Sequence, residues 1–211
     1  MTLHSATPTL TEEPLLLVVD LEATCWKDQI SPDGEPQSVF NMEIIELGCA
    51  IATRQGKLLD SLSLLVRPVR NPILSDFCKT LTGISQPMVD NAKTYPESIQ
   101  YLTEWLGQQA ESFIWSSWGN YDLRHVAIQG EMDGALAPML NYPHLNLKRL
   151  WRRTTGQRKK NGLVNALAFH GLVFEGDLHR GVDDARNIVR LLSFIDWSLE
   201  EKLARPPGSI S

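Results

Sequence analysis

An α/β domain, one mixed sheet with helices on its faces, is the fold this sequence predicts. Three observations predict it. Leu15–Leu21 is a strand-length apolar run, interrupted only by Asp20. The next two segments, Glu43–Thr53 and Lys57–Arg67, read as a hairpin. Beyond residue 95, short apolar runs alternate with helical periodicity.

In chain order, Met1 to Pro14 is a polar stretch, expected to be a flexible leader. The domain is expected over residues 15–203, and Pro206-Pro207-Gly208 marks 204–211 as a flexible tail. Leu15–Leu21 suits a central strand buried on both faces. Ser31-Pro32-Asp33-Gly34 and Pro36 mark Thr24 to Asn41 as a long loop. The strands 43–53 and 57–67 meet at Gln55-Gly56, so the first three strands are antiparallel and the later ones parallel. Pro68, Pro72, Gly83 and Pro87 divide Pro68 to Asp90 into short helical turns. Pro96 to Gln108 opens on proline and repeats Ile99, Leu102 and Leu106, which predicts a helix. Phe113 to Ser117 is a short strand, and Tyr121 to Gln129 a helix with Asn120 as N-cap. Gly162 to Phe169 is a helix closed by Gly171. Asp183 to Leu203 is the last and longest helix, with Asp183 as its N-cap.

The 211 residues suffice for one domain with a full core, and 43% apolar with 21% charged residues is ordinary for a soluble protein. No apolar run approaches the roughly 18 residues of a membrane helix, and the first 13 residues do not read as a signal peptide. Cys25, Cys49 and Cys78 are an odd, sparse set, which argues against a disulfide framework or a zinc site and points to the reducing cytoplasm. A net charge of −5 weighs against a polyanionic partner. Divalent cations in an acidic site would reverse that local field.

Three places carry carboxylates where the pattern calls for apolar residues. Asp20 and Glu22 end the first strand. Two apart in a strand, they share a face, where they repel each other and resist desolvation. Asp184 lies one turn before Ile188, on the apolar stripe of the last helix. Asp122 lies one turn before Val126. Each has a bland reading: a solvated strand end for the first two, a favourable helix N-terminus for the others. If the three places converge, four carboxylates in one pocket require divalent cations, and hard oxygen ligands suit Mg²⁺ or Mn²⁺.

These residues resemble the motifs of the DEDD exonuclease superfamily, the DnaQ-like group with a ribonuclease H-like fold. Asp20-Leu21-Glu22 is similar to its Asp-x-Glu motif, Asp122 within Trp118-Gly119-Asn120-Tyr121-Asp122 to its second, and His179-Arg180-Gly181-Val182-Asp183-Asp184 to its third. The His-x4-Asp form is that of the DEDDh branch. The stretches Asp20–Cys25, Glu43–Glu46, Val66–Pro68, Leu74–Cys78 and Leu81–Ile84 resemble the Eri-type subgroup, which includes the 3′ histone mRNA exonuclease.

The resemblance implies a 3′→5′ exonuclease that takes nucleoside 5′-monophosphates from single-stranded RNA or DNA. Asp20, Glu22, Asp122 and Asp184 would hold two metal ions, and His179 would accept the proton of the attacking water. The 3′-terminal nucleotide would lie along Leu21, Ala23 and Thr24, with Glu22 at its 3′-hydroxyl. The loop of Leu81, Thr82 and Ile84 would border the base. Trp118 and Asn120 would meet the next nucleotide, although core packing is an equal reading for Trp118. Lys148 to Lys160 holds seven basic residues and no acid. Arg158, Lys159 and Lys160 are expected to steer the strand, against the alternative of a solvated face. Glu43 and Glu46 carry no assigned role beyond the chance that Glu46 orients site residues. A non-catalytic interaction module on the same fold, and a proofreading or tRNA-trimming exonuclease, are the competing readings.

Overall fold

The apolar run of the first strand forms the middle of the sheet in a computed structural model of the chain. Residues 13–109, 113–202 and 206 are described. The predicted leader and tail lie outside them, apart from Glu13, Pro14 and Pro206. β1 (Leu15–Ala23) runs antiparallel to β2 (Ile44–Ala52), which runs antiparallel to β3 (Leu58–Arg67). The two-residue β4 (Lys93–Thr94) pairs parallel with β3. On the other side of β1, β5 (Phe113–Ser117) and then β6 (His144–Asn146) add in parallel. The order is β4-β3-β2-β1-β5-β6, the predicted mixed sheet.

Alternation along β1 sorts its side chains into two cores. Leu17, Val19 and Leu21 pack with Ile99, Leu102 and Leu106 of α3 (Tyr95–Gly107) and with Leu123 and Val126 of α4 (Tyr121–Met132). Leu16 and Val18 face the other way, toward Leu150 of α5 (Leu147–Thr155) and Ala185, Ile188 and Val189 of α7 (Gly181–Leu191). α1 (Asp76–Thr82) and α2 (Gln86–Asp90) cover Ala23, Cys25 and Ile45 at the end of β1. α6 (Leu163–Phe169) closes over Trp151 and Leu191. No helix among the described residues is long and apolar enough to cross a membrane.

The seat of α7 on the sheet is a backbone contact. A Cβ placed on Gly48 would lie 1.9 Å from the carbonyl carbon of Gly181, and one on Gly181 would lie 2.7 Å from the Asp20 carbonyl oxygen. Neither neighbour is a flexible side chain that could move aside. Gly48→Ala is therefore expected to destabilise the domain by ~3 kcal/mol or more through overpacking. Chemical denaturation measures this, and a change under about 1 kcal/mol would contradict the contact.

Three local expectations are corrected. The last helix begins at Gly181, so its N-cap is Arg180, and Asp183 sits in the first turn. The helix also stops at Leu191. After a short 3-10 turn the backbone extends at Ile195, and Asp196 restarts a separate turn at Trp197 by accepting from the Ser198 amide (3.1 Å) and hydroxyl (2.6 Å). Asn120 occupies the N-cap position of α4, yet makes no side-chain capping bond. Its Oδ1 accepts from Asn146 Nδ2 at 2.8 Å. Trp151, which lies between the basic residues of 148–160, is fully buried and donates to His170 Nε2 at 2.9 Å.

Candidate active site

β5 pairs with β1 only from Leu15 to Val18. Beyond Val18 that edge of β1 is open, and the amide that faces the gap is Leu21 N–H. It donates to Asp122 Oδ1 at 3.3 Å. Asp122 comes from the first turn of α4, on the opposite layer from α7, so it enters the site through the place where the two strands part. Asp20 and Glu22 project on the Leu16–Val18 face, toward α7. Because Gly181 seats the start of α7 against Asp20, Asp184 arrives one turn later on the same spot.

Three carboxylates result whose ligand atoms all lie within 4.8 Å of one another: Asp20, Glu22 and Asp184. Glu22 and Asp184 are buried and Asp20 is half-buried. Asp122 is buried beside them, engaged with the β1 backbone. Burial first, then the charges of Asp122, Asp184 and Glu22, push the Asp20 carboxyl well above its ordinary range. Burial, then Asp184 and Glu46, push Glu22 up to about 9. Asp184 rises to about 7, chiefly by burial, against backbone hydrogen bonds at His179 and Arg180 that favour its charge. Asp122 rises to about 6 for the same chief reason, opposed by backbone hydrogen bonds and the Ser117 hydroxyl.

The arrangement fits hard divalent cations. Its donors are all carboxylate oxygens, and the charges that act on Asp20 and Glu22 are all acidic. Asp184 Oδ2 is buried without a hydrogen-bond partner among the described residues. A buried acceptor in that state is expensive unless something cationic completes it.

His179 is exposed, two residues before α7, with φ at +63°. A non-glycine residue held in the left-handed region stores local strain and is a recurrent feature of functional sites. The other expected contacts are spread unevenly. The side chains of Leu21, Ala23 and Thr24 are buried, and Thr24 Oγ1 accepts from the Glu43 amide at 2.9 Å, so a ligand there meets backbone. Leu81 is exposed, whereas Thr82 and Ile84 turn inward. Thr82 Oγ1 donates to the Cys78 carbonyl at 2.9 Å and accepts from the Ile84 amide at 3.1 Å. Trp118 is half-buried against the core and donates to the Asn161 carbonyl at 2.9 Å, while Asn120 is exposed. Arg158, Lys159 and Lys160 are exposed in the loop between α5 and α6.

Two acids left without a role are structural anchors. Glu43 accepts from the amides of Val69 (2.8 Å) and Asn71 (2.5 Å), tying down the loop after β3. Glu46, fully buried, grips the start of α7. The only signal in the sequence was an acid among apolar neighbours on a strand.

A mixed sheet with carboxylates gathered at the open end of its central strand defines the ribonuclease H-like class of nuclease folds. The family model described as Exonuclease (RNase T) matches residues 17–192, and the chain belongs to this exonuclease family. ERI1 exoribonuclease 3 of Homo sapiens is 31% identical over 188 residues, covering 86% of this chain and 53% of that protein. The 3′-5′ exonuclease eri1 of Schizosaccharomyces pombe is 32% identical over 205 residues, covering 84% and 66%. The nuclease domain of 3′hExo, a DEDDh family member solved bound to rAMP, superimposes with a TM-score of 0.77 at 26% identity, covering 87% of this chain and 92% of that one. The chain spans about half the length of the ERI1 exoribonuclease 3 it matches. Its relatives place it in the Eri-type DEDDh branch, and membership implies divalent metal ions at the acidic cluster.

Proposed function

We propose that residues 15–203 form a 3′→5′ exonuclease domain that releases nucleoside 5′-monophosphates from single-stranded RNA, with single-stranded DNA as a lesser substrate. The observation that carries this is the trio Asp20, Glu22 and Asp184 within 4.8 Å, with the Asp184 Oδ2 acceptor unmatched. RNA is favoured because the relatives are named exoribonucleases and the 3′hExo domain is solved with rAMP. The buried, unpaired thiols of Cys25, Cys49 and Cys78 fit a reducing compartment, and the cytoplasm is the proposed location.

Asp20, Glu22, Asp184 and Asp122 are the residues that hold two divalent cations, Mg²⁺ or Mn²⁺. When bound, the pair supplies a water nucleophile near neutral pH and stabilisation of the leaving oxygen. His179 takes a proton from the attacking water as its oxygen bonds to phosphorus. The P–O3′ bond breaks, and the 3′-oxygen left on the shortened strand is protonated. Asp122 keeps β1 in place through Leu21 N–H, so the backbone of Leu21, Ala23 and Thr24 is a fixed wall for the terminal nucleotide. Glu22 meets the 3′-hydroxyl, which makes a free end a requirement. Leu81 borders the base, over a floor that includes Thr82 and Ile84, and Asn120 with the accessible part of Trp118 meets the nucleotide behind it.

The test is a 5′-labelled RNA or DNA oligonucleotide with a free or blocked 3′-hydroxyl, in Mg²⁺, Mn²⁺ or chelator. A ladder that shortens only from a free 3′ end, needs metal, and is lost in Asp20→Ala and His179→Ala is the expected result. Binding without cleavage in every metal would favour a non-catalytic module instead.

Arg158, Lys159 and Lys160 are assigned to the strand's phosphates. Replacing all three with alanine is expected to lower the slope of log affinity against log salt by about 2, given roughly 0.7 counterions released per phosphate contact on single strands. An unchanged slope in a filter-binding series would remove them from the path.

A further inference from the structure

We infer that Glu46 is a positioning residue for His179: its buried carboxylate fixes the turn that carries the histidine, and it does not ligate metal. The inference rests on the exonuclease reading above. Glu46 stands opposite Glu22 in the β1–β2 register, so both project on one face of the sheet. It is as buried as any residue in the core. Its charge acts on Asp20, Glu22 and Asp184, which would make it a natural fifth ligand. Its oxygens are committed elsewhere. Oε1 accepts from the Ser63 hydroxyl at 2.6 Å, and Oε2 accepts from Gly181 N–H at 3.0 Å and from Arg180 Nε at 3.1 Å.

Both donors to Oε2 belong to the two residues that follow His179. The histidine itself holds a left-handed φ of +63°, which a non-glycine residue keeps only when its neighbours fix it. On the other side of the turn, Asp177 N–H donates to Asp183 Oδ2 at 3.0 Å, and Gly176 lies so close to that carboxyl that a Cβ would sit 2.5 Å from it. Glu46 thus closes one side of a clamp whose other side is Asp183. Arg180 supplies the positive charge that makes a buried carboxylate tolerable there. Gly48, two residues on and on the same face, gives the backbone contact on which Gly181 rests.

The experiment compares Glu46→Gln with wild type in the full chain, alone and in a His179→Ala background. The amide keeps the shape of the side chain but cannot accept on both sides. Expected are a kcat lower by about 10- to 100-fold, KM within about threefold, Mn²⁺ affinity by calorimetry within about threefold, and amide hydrogen exchange at Gly181 faster by about tenfold or more. In the His179→Ala background the same change lowers residual single-turnover cleavage by less than about twofold, because the residue it positions is gone. The inference is overturned by a loss of Mn²⁺ affinity of about tenfold or more, by an equal loss of kcat with His179 absent, or by unchanged Gly181 exchange. If Glu46→Gln does not fold, Glu46→Gln with Arg180→Met removes both charges of the pair together and is held to the same exchange and double-mutant criteria. Absence of metal-dependent cleavage in wild type would sink the exonuclease reading alone. Gly181 exchange would then still report whether Glu46 holds the turn.

Discussion

Asp184→Asn is expected to reduce metal-dependent cleavage by on the order of a thousandfold or more, and at the same time to raise the melting temperature of the metal-free protein. The two effects have one cause. Asp184 is buried with its Oδ2 unmatched, within 4.8 Å of Asp20 and Glu22 ligand atoms. Without metal, a charge at that position is a liability through desolvation and like-charge repulsion. Asparagine has nearly the same shape, and its amide can donate toward the two neighbouring carboxylates. A gain of about 1 kcal/mol, or about 2–4 °C for a domain of this size, should appear in chelator at pH 8. That pH lies above the value of about 7 to which Asp184 is raised, so wild type carries the charge there. Addition of Mn²⁺ should then raise the melting temperature of wild type far more than that of the variant. A variant less stable than wild type in chelator would mean that the carboxylate is a structural anchor and not a ligand.

The stability of the metal-free protein is expected to fall between pH 6.5 and 9. Glu22, raised to about 9, and Asp184, raised to about 7, keep their protons in the folded state where the unfolded chain has released them. A folded state that binds more protons loses stability as pH rises, by about 1.4 kcal/mol per pH unit for each proton of difference. The advantage is complete below the ordinary carboxylate range and is lost as pH passes the raised values. His125 has the opposite sign. Burial lowers it to about 4, so it subtracts stability as pH falls below its ordinary value near 6.5, which is why the window starts there. Saturating metal should remove the fall, because its ligands bind deprotonated. Guanidinium denaturation across the window in chelator and in Mn²⁺ would show it. Parallel curves would mean that the carboxylates do not share a site.

What was legible in the sequence follows from where pattern and burial coincide. β1, the β2–β3 hairpin and α3 show runs and periodicities that only a core demands, and they sit within a residue or two of expectation. Asp20 and Glu22 stood out because a strand buried on both faces does not tolerate acids idly. β4 and β6, at two and three residues, are too short to show a period. The end of α7 was missed because Ile195 and Leu199 continue the apolar spacing across the extended backbone at Ile195, after which Asp196 starts a separate turn. Convergence itself was illegible. That Asp122 lies beside β1 depends on β5 ending its pairing at Val18, a fact of three dimensions. Glu46 stood out as an acid among apolar neighbours, but what it holds was unreadable for the same reason, since its partners Arg180 and Gly181 lie far along the chain.

The last helix brings a consequence for how the protein is made. Asp184 follows every strand of the sheet in the chain, and the seating of Gly181 on Gly48 is the contact that brings it into the acidic trio. A chain elongated only through β6 carries Asp20 and Glu22 but not yet Asp184. The partial chain therefore holds two of the three carboxylates and none of the histidine turn. The acidic trio therefore waits for α7, whatever the six strands have already formed.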